Sequence, residues 1–368
     1  MEIEVLQEKL ARALSTVSRV AMGAKSTLPI LSNVLIKVDK EKVSLTATNL
    51  DMAVVDFVPV TNTKDGAITV PARLLAEFVQ NLPKGENIRL TSNGNKVKIS
   101  TSKYSSIING ADAADFPELP NIDEKKAVIF KMGVDEFKTG AAEVVIAASG
   151  DTTRPALTGV YFNTDKGSLY IAATDGYRLA EKKFIEKVQS EVAAIVPTAS
   201  VQEVLRSIPE DIDEIEILFD DTQVRFRMGE LEITSKLIEG TFPDYRQLIP
   251  NNSDILVTVN REELTRIVKI AALFARESNR AINCVADSKK GKFIVSSISN
   301  EIGENQSEID TKVSEDGSVK LDSRFLMDAL NALDEDKVIF GFSKDVSPVL
   351  IKNEKDDKYR HIIMPLNN

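Results

Sequence analysis

Val70-Pro71-Ala72-Arg73-Leu74-Leu75-Ala76-Glu77 returns 126 residues later as Val196-Pro197-Thr198-Ala199-Ser200-Val201-Gln202-Glu203. The same offset carries Thr27-Leu28-Pro29-Ile30-Leu31 onto Thr153-Arg154-Pro155-Ala156-Leu157, Thr48-Asn49 onto Thr174-Asp175, and Phe116-Pro117 onto Phe242-Pro243. Four landmarks at one spacing identify an internal repeat, and a repeat constrains the fold more than any single motif does. A fainter third copy begins at Asp322-Ser323-Arg324-Phe325-Leu326-Met327-Asp328-Ala329-Leu330, 125 residues after the Pro197 run, with Ser299-Asn300 near the place where Thr174-Asp175 would recur. The repeats cover 1–122, 123–250 and 251–368. No long Gly/Ser or Pro linker separates them, so they are expected to pack end to end.

Each repeat has the same grammar. An amphipathic helix comes first, marked by Leu6, Leu10, Leu14 and Val17 in repeat one, by Val134, Phe137, Ala141, Val144 and Ala148 in repeat two, and by Leu264, Ile267, Val268 and Ala271 in repeat three. Period-two strands follow, such as Val43-Ser44-Leu45-Thr46-Ala47 and Leu169-Tyr170-Ile171-Ala172. A second helix opens at Pro71, Pro197 or Asp322, where proline suits a first turn and aspartate an N-cap. The six helices are expected at 6–20, 71–82, 135–149, 197–208, 261–280 and 322–333. Two helices and many strands per repeat make the class α+β.

A length of 368 residues suits two or three domains, and 43% hydrophobic with 28% charged residues is ordinary globular composition. No apolar run reaches the length of a membrane span, and the acidic start Met1-Glu2-Ile3-Glu4 does not resemble a signal peptide. Cys284 is the only cysteine, so an internal disulfide is impossible and a cytoplasmic location is expected. With one histidine, His361, and one cysteine, the common zinc sets cannot be built. No Walker-type phosphate loop and no nucleophile elbow occurs, so no cofactor, metal or catalytic residue is expected. Asp220-Asp221 reads as a turn beside strands, and His361 as a strand-edge residue near the C-terminus.

A formal charge of -10 argues against nucleic-acid binding unless the charges are segregated. They are. The six helical windows hold twelve Lys/Arg and eleven Asp/Glu, which leaves the rest of the chain strongly acidic. Lys9, Arg12 and Arg19 share one face of the first helix, opposite its apolar stripe. Arg266, Lys269, Arg276 and Arg280 fall on one face of the fifth. Arg73 and Arg206, the single cations of the second and fourth helices, complete this set. Repeat two departs, with Lys138 alone beside Asp135, Glu136 and Glu143.

Several segments resemble the bacterial DNA sliding clamp, the beta subunit of DNA polymerase III: Thr27-Leu28-Pro29-Ile30-Leu31-Ser32-Asn33, Ala173-Thr174-Asp175-Gly176-Tyr177-Arg178-Leu179-Ala180, Thr234-Ser235-Lys236-Leu237, Phe242-Pro243-Asp244-Tyr245-Arg246 and Met364-Pro365-Leu366. With the triple repeat and the length, the resemblance spans the whole chain. It implies three clamp domains, each of two helices and two antiparallel sheets, in a head-to-tail homodimeric ring. It further implies a non-catalytic processivity factor that encircles double-stranded DNA without sequence preference. The partners implied are the replicative polymerase, the clamp loader and repair proteins, held through short peptide motifs, with no membrane partner.

Residue by residue, the resemblance places a partner-peptide pocket at Leu157, Thr174, Gly176, Tyr177, Arg178, Leu179, Pro243, Val346, Met364 and Pro365. Tyr177 stands where the family often has histidine, and Pro348 where serine is common. The dimer contact maps to Ile108 on one side and to Leu273 and Phe274 on the other. Loop contacts to DNA map to Lys25 and Arg154, and Pro155-Ala156 replaces tyrosines found in some members. Geometry agrees with two chains. Six helices packed roughly 9 Å apart enclose almost no bore, whereas twelve leave a bore of about 24 Å, enough for a B-form duplex. Closed twofold symmetry is the commonest oligomeric solution.

Overall fold

The computed structural model describes residues 1–368 apart from 24–27, 40–41, 251, 277–278, 346 and 367–368. Six α-helices occur among the described residues: α1 (Gln7–Met22), α2 (Ala72–Gln80), α3 (Val134–Val145), α4 (Thr198–Ser207), α5 (Arg261–Phe274) and α6 (Ser323–Ala332). They keep the spacing of the sequence repeat. The chain folds into two compact bodies, the first of Met1–Val134 with Arg206–Leu237 and the second of Asp135–Leu205 with Ile238–Asn368.

In the first body, alternation of apolar and polar side chains makes strands with one buried face, as in Asn33–Asp39, where Val34, Ile36 and Val38 point inward. Its five-stranded sheet runs Thr61–Lys64, Glu2–Leu6, Asn87–Asn93, Lys96–Ser100 and Ser105–Asn109, so Ser105–Asn109 is an edge. Its eight-stranded sheet joins strands of repeats one and two. Leu231–Lys236 pairs antiparallel with Met52–Val58, from Leu231 opposite Asp56 to Ser235 opposite Met52. Leu10, Leu14 and Val17 of α1 and Leu75 and Val79 of α2 are buried where the two helices pack together.

The second body repeats the design. Its nine-stranded sheet joins repeats two and three through Arg178–Glu186 and Tyr359–Ile363, with Arg178 opposite Ile363 and Lys182 opposite Tyr359. Its four-stranded sheet ends on Gly303–Asp310, again an edge. Helices α5 and α6 pack together here, and Leu264, Val268, Ala271, Leu326 and Leu330 are fully buried. Asp322 caps α6 as expected, its carboxylate accepting from Arg324 N at 2.8 Å.

Four sequence expectations need correction. Leu6 is not part of the α1 stripe: its backbone is extended, it pairs with Asn87, and its side chain is exposed. Pro71 sits at the N-cap of α2, one residue before its first turn. Helix α5 stops at Phe274, so Arg276 and Arg280 do not continue the face of Arg266 and Lys269. Ala275 caps the helix in a right-handed conformation, its N–H donating to Ala271 O at 3.1 Å, and beyond it Asn279 and Arg280 take left-handed backbone angles, with Arg280 N donating to Ala275 O at 2.8 Å. His361 lies on an interior strand, flanked by Arg178–Glu186 and Val349–Asn353, and is fully buried. It reaches the interior because the last strand of the chain is the one that stitches repeat three to repeat two.

Burial gives His361 a consequence. Tyr359 Oη donates to Glu143 O at 3.1 Å and lies 2.8 Å from His361 Nδ1, so Nδ1 carries the proton of that contact. Burial, reinforced by the positive charge of Arg178, pushes the His361 pKa down to about 3. A base whose folded pKa is depressed favours the native state above its unfolded value near 6.5 and loses that advantage as pH falls toward 3. Nearby Glu143 acts oppositely. Burial, offset in part by Lys182 at 3.0 Å, pushes its carboxyl up to about 7, so its contribution is present below the unfolded value of 4.5 and fades as pH rises through 7. His361→Gln should therefore gain on the wild-type protein by up to roughly 1.4 kcal/mol for each pH unit below 6.5, measured by denaturant unfolding. Parallel stability curves from pH 7 to pH 4 would show that His361 already titrates freely in the fold.

Candidate functional site

Two groups of side chains answer to the sequence expectations: the helix cations, and an apolar platform in the second body.

Lys9, Arg12, Arg73, Arg206, Arg266, Lys269, Arg276 and Arg280 are exposed, and Arg19 is half-buried. In the first body Arg12, Arg19 and Arg206 line one cavity of about 710 Å³. Four carboxylates share it, Asp56, Glu210, Asp211 and Glu230. Arg12 pairs with Asp211 at 3.7 Å, and Arg19 donates to Ser207 Oγ at 2.8 Å and to Ser15 O at 3.1 Å. Asp56 is buried, and that burial pushes its pKa up to about 6 against the pull of Arg12. Arg73 is bonded to Glu77 of its own helix at 2.8 Å. The basic faces are thus partly neutralised locally, and for Arg12 by a carboxylate that sequence spacing does not reveal. Lys9, Arg266 and Lys269 have no ion pair among the described residues. Arg154 is exposed but turned inward, toward Asp151 at 3.4 Å and Asp175 O at 3.3 Å. Lys25 lies outside the described residues.

The platform is built around the hairpin between Ser168–Thr174 and Arg178–Glu186. Gly176 takes φ +92°, which suits glycine alone. Thr174 Oγ1 donates to Arg178 O at 2.6 Å and accepts from Gly176 N at 3.0 Å. Asp175 Oδ1 accepts from Tyr177 N at 2.9 Å and Arg178 N at 3.0 Å. This lock leaves the Tyr177 side chain 64% exposed. Tyr177 O accepts from Met364 N at 2.8 Å, which ties the C-terminal segment to the turn.

Beneath lie Ala172, Leu179, Ile195, Phe242, Tyr245 and Ile362 in one buried cluster, with Ala156, Tyr161 and Leu350 against it. Phe242 stacks on Tyr161 at 4.7 Å, and Tyr245 Oη donates to Glu181 at 2.6 Å. These bonds hold the 242–249 segment on the sheet and leave Pro243 exposed beside it. Leu157 and Thr174 are nearly buried, and Met364 and Pro365 are half-buried. The structure thus gathers Leu157, Thr174, Gly176, Tyr177, Leu179, Pro243, Met364 and Pro365 in one region, while the Arg178 guanidinium is turned into the fold. Val346 lies outside the described residues. Sequence reading missed Phe242, Tyr245 and Ile362 as the floor: Ile362 sits on the strand Tyr359–Ile363, but Phe242 and Tyr245 lie in irregular backbone that no alternation marks.

The dimer expectation divides. Leu273 is 54% exposed and Phe274 half-buried. Ile108 is a correction: it is 5% exposed, because strand alternation turns it into the core opposite Val97. Its neighbour Ile107 faces out at 65% exposure on the same edge strand.

Tandem α+β repeats joined through their sheets, with a locked hairpin beside an apolar platform, define the sliding-clamp class of fold. Three family models match in tandem: the DNA polymerase III beta subunit N-terminal domain over residues 1–120, central domain over 131–244 and C-terminal domain over 246–367. A beta sliding clamp of Staphylococcus aureus is 30% identical over 360 residues, 94% of each chain. Among solved structures, the DNA polymerase III subunit beta of Pseudomonas aeruginosa matches with a TM-score of 0.93 at 26% identity over 100% of both chains. A sliding clamp of Bartonella birtlesii bound to griselimycin matches at 0.92 and 30% identity over 100% of both chains. The chain belongs to the DNA polymerase III beta subunit family, the non-catalytic sliding clamps that tether the polymerase for processive synthesis.

Gly176→Ala would place an L side chain at φ +92° with its Cβ 3.4 Å from Arg154 Nη1. It should lower stability by about 1–2 kcal/mol in denaturant unfolding. No change would mean that the hairpin relaxes freely around this position.

Proposed function

We propose that two copies of the chain close head to tail into a ring around duplex DNA, and that the platform beside Tyr177 captures short peptide segments of polymerase, clamp loader and repair proteins. The proposed domains are 1–122, 123–250 and 251–368, acting in the cytoplasm. One observation carries the ring. Within each body two repeats are joined by the same strand pair, Leu231–Lys236 with Met52–Val58 and Tyr359–Ile363 with Arg178–Glu186. The equivalent strands left over are Ser105–Asn109 and Gly303–Asp310, and both are sheet edges. An unpaired strand edge is a template for pairing with another chain. Ile107 stands on the first edge. Ile298 and Ile302, on the strand beside the second edge and its turn, and Leu273 at the end of α5 are all exposed. Pairing these edges between copies repeats a junction the chain already makes twice.

In such a ring Lys9, Arg12, Arg19, Lys25, Arg73, Arg154, Arg206, Arg266, Lys269, Arg276 and Arg280 are the proposed DNA contacts. Their carboxylate neighbours keep the phosphate attraction weak, which suits a hold that is topological. The platform is an apolar surface with a few fixed polar groups, able to take one or two anchor side chains. Relatives from Pseudomonas aeruginosa and Bartonella birtlesii are bound to griselimycin; we assign griselimycin to the platform of this chain.

Once loaded on nicked circular DNA, the protein should stay bound in high salt and leave when the circle is linearised. Equal loss from both forms would leave a protein-binding scaffold as the better reading. Ile107→Lys should shift the protein from two chains to one in sedimentation equilibrium, since a charge at the edge opposes pairing; a dimer as tight as wild type would place the interface elsewhere.

A further inference from the structure

Arg178 does not spend its charge on the surface. Its side chain is 11% exposed and holds three partners: Nε donates to Asp175 Oδ2 at 3.1 Å, Nη1 to Asp328 Oδ2 at 2.5 Å, and Nη2 to Ile146 O at 2.6 Å. The guanidinium also lies 4.7 Å over the Phe325 ring. Asp328 and Phe325 belong to α6, and Ile146 follows α3. One side chain therefore ties the Asp175–Tyr177 turn to two helices that contribute no side chain to the platform. Arg324, one helical turn before Asp328, stands 5.5 Å from the same ring. Two guanidinium groups thus lie close to the Phe325 ring, and the Asp328 carboxylate holds that of Arg178.

We propose that Asp328 is a positioning residue of the peptide platform. It touches no peptide; it fixes Arg178, and Arg178 fixes Asp175, whose other oxygen holds the amides of Tyr177 and Arg178. A nearly buried arginine needs its full set of charge-assisted bonds. Without the Asp328 charge the guanidinium keeps Asp175 and Ile146 O, and the turn loses its ion pair to α6. The Tyr177 side chain and the Tyr177 O to Met364 N bond then lose their fixed geometry. The proposal rests on the peptide-platform reading above.

The test uses the full chain with griselimycin as the probe. Asp328→Asn should weaken griselimycin binding about tenfold, Asp328→Glu should restore most of it, and Phe325→Leu should weaken it less than Asp328→Asn. Hydrogen exchange should quicken at the amides of residues 176–178 and 364 in Asp328→Asn, with the buried strands unchanged. Wild-type protein that fails to bind griselimycin would remove the platform reading itself. Wild-type binding with an unchanged affinity and exchange pattern in Asp328→Asn would overturn the positioning role alone. Quickened exchange across all strands would also overturn it, since Asp328 would then serve general stability.

Discussion

Antiparallel strand pairing between repeats is the constraint on which the rest depends. No repeat completes its sheet alone. Met52–Val58 needs Leu231–Lys236, and Arg178–Glu186 needs Tyr359–Ile363. Backbone amides and carbonyls left unpaired at such junctions carry a free-energy cost, so each junction is held by a ladder and not only by side-chain packing. The ladder also sets the register of everything attached to it. His361 is buried because its strand fills the repeat-two to repeat-three junction, and Met364 reaches Tyr177 because that strand ends where the hairpin turns.

The two junctions are alike in backbone and different in chemistry, which explains why only one carries a platform. In the second body Tyr177 O accepts from Met364 N at 2.8 Å. In the first, Asp51 O accepts from Lys236 N at 2.9 Å, the same bond at the equivalent place. The side chains differ: Tyr177 and Met364 are large and apolar, whereas Asp51 and Lys236 form an exposed ion pair at 3.6 Å. An apolar anchor would gain area on the first pair and would have to strip water from the second. Repeat symmetry thus supplies two scaffolds, and side-chain choice makes one apolar and the other charged.

Sequence reading reached what periodicity and repetition encode: the three copies, the helix order and the Asp322 cap. It failed where tertiary context decides. Ile107 and Ile108 are equally hydrophobic neighbours, and only the register against Lys96–Ser100 shows which one faces out. Arg276 and Arg280 keep helical spacing, yet the helix ends at Phe274 with no glycine or proline after it to mark the end. The pairing of Arg12 with Asp211 and of Arg178 with Asp328 joins residues more than a hundred positions apart, beyond any local pattern. Phe242, Tyr245 and Ile362 form the platform floor through packing alone.

Cross-linking the two edge strands tests head-to-tail closure most directly. Cys284 is buried, so it leaves the surface free of competing thiols among the described residues. Cysteines would replace Ile107 together with exposed Glu304, Gln306 or Glu308 in turn, and the products of mild oxidation would be sized under denaturing conditions. Closure predicts one register that forms efficiently, gives a covalent product of two chains without a ladder, and traps the protein on circular DNA. No cross-link at any register, or an open ladder of three, four and more chains, would contradict a two-chain ring.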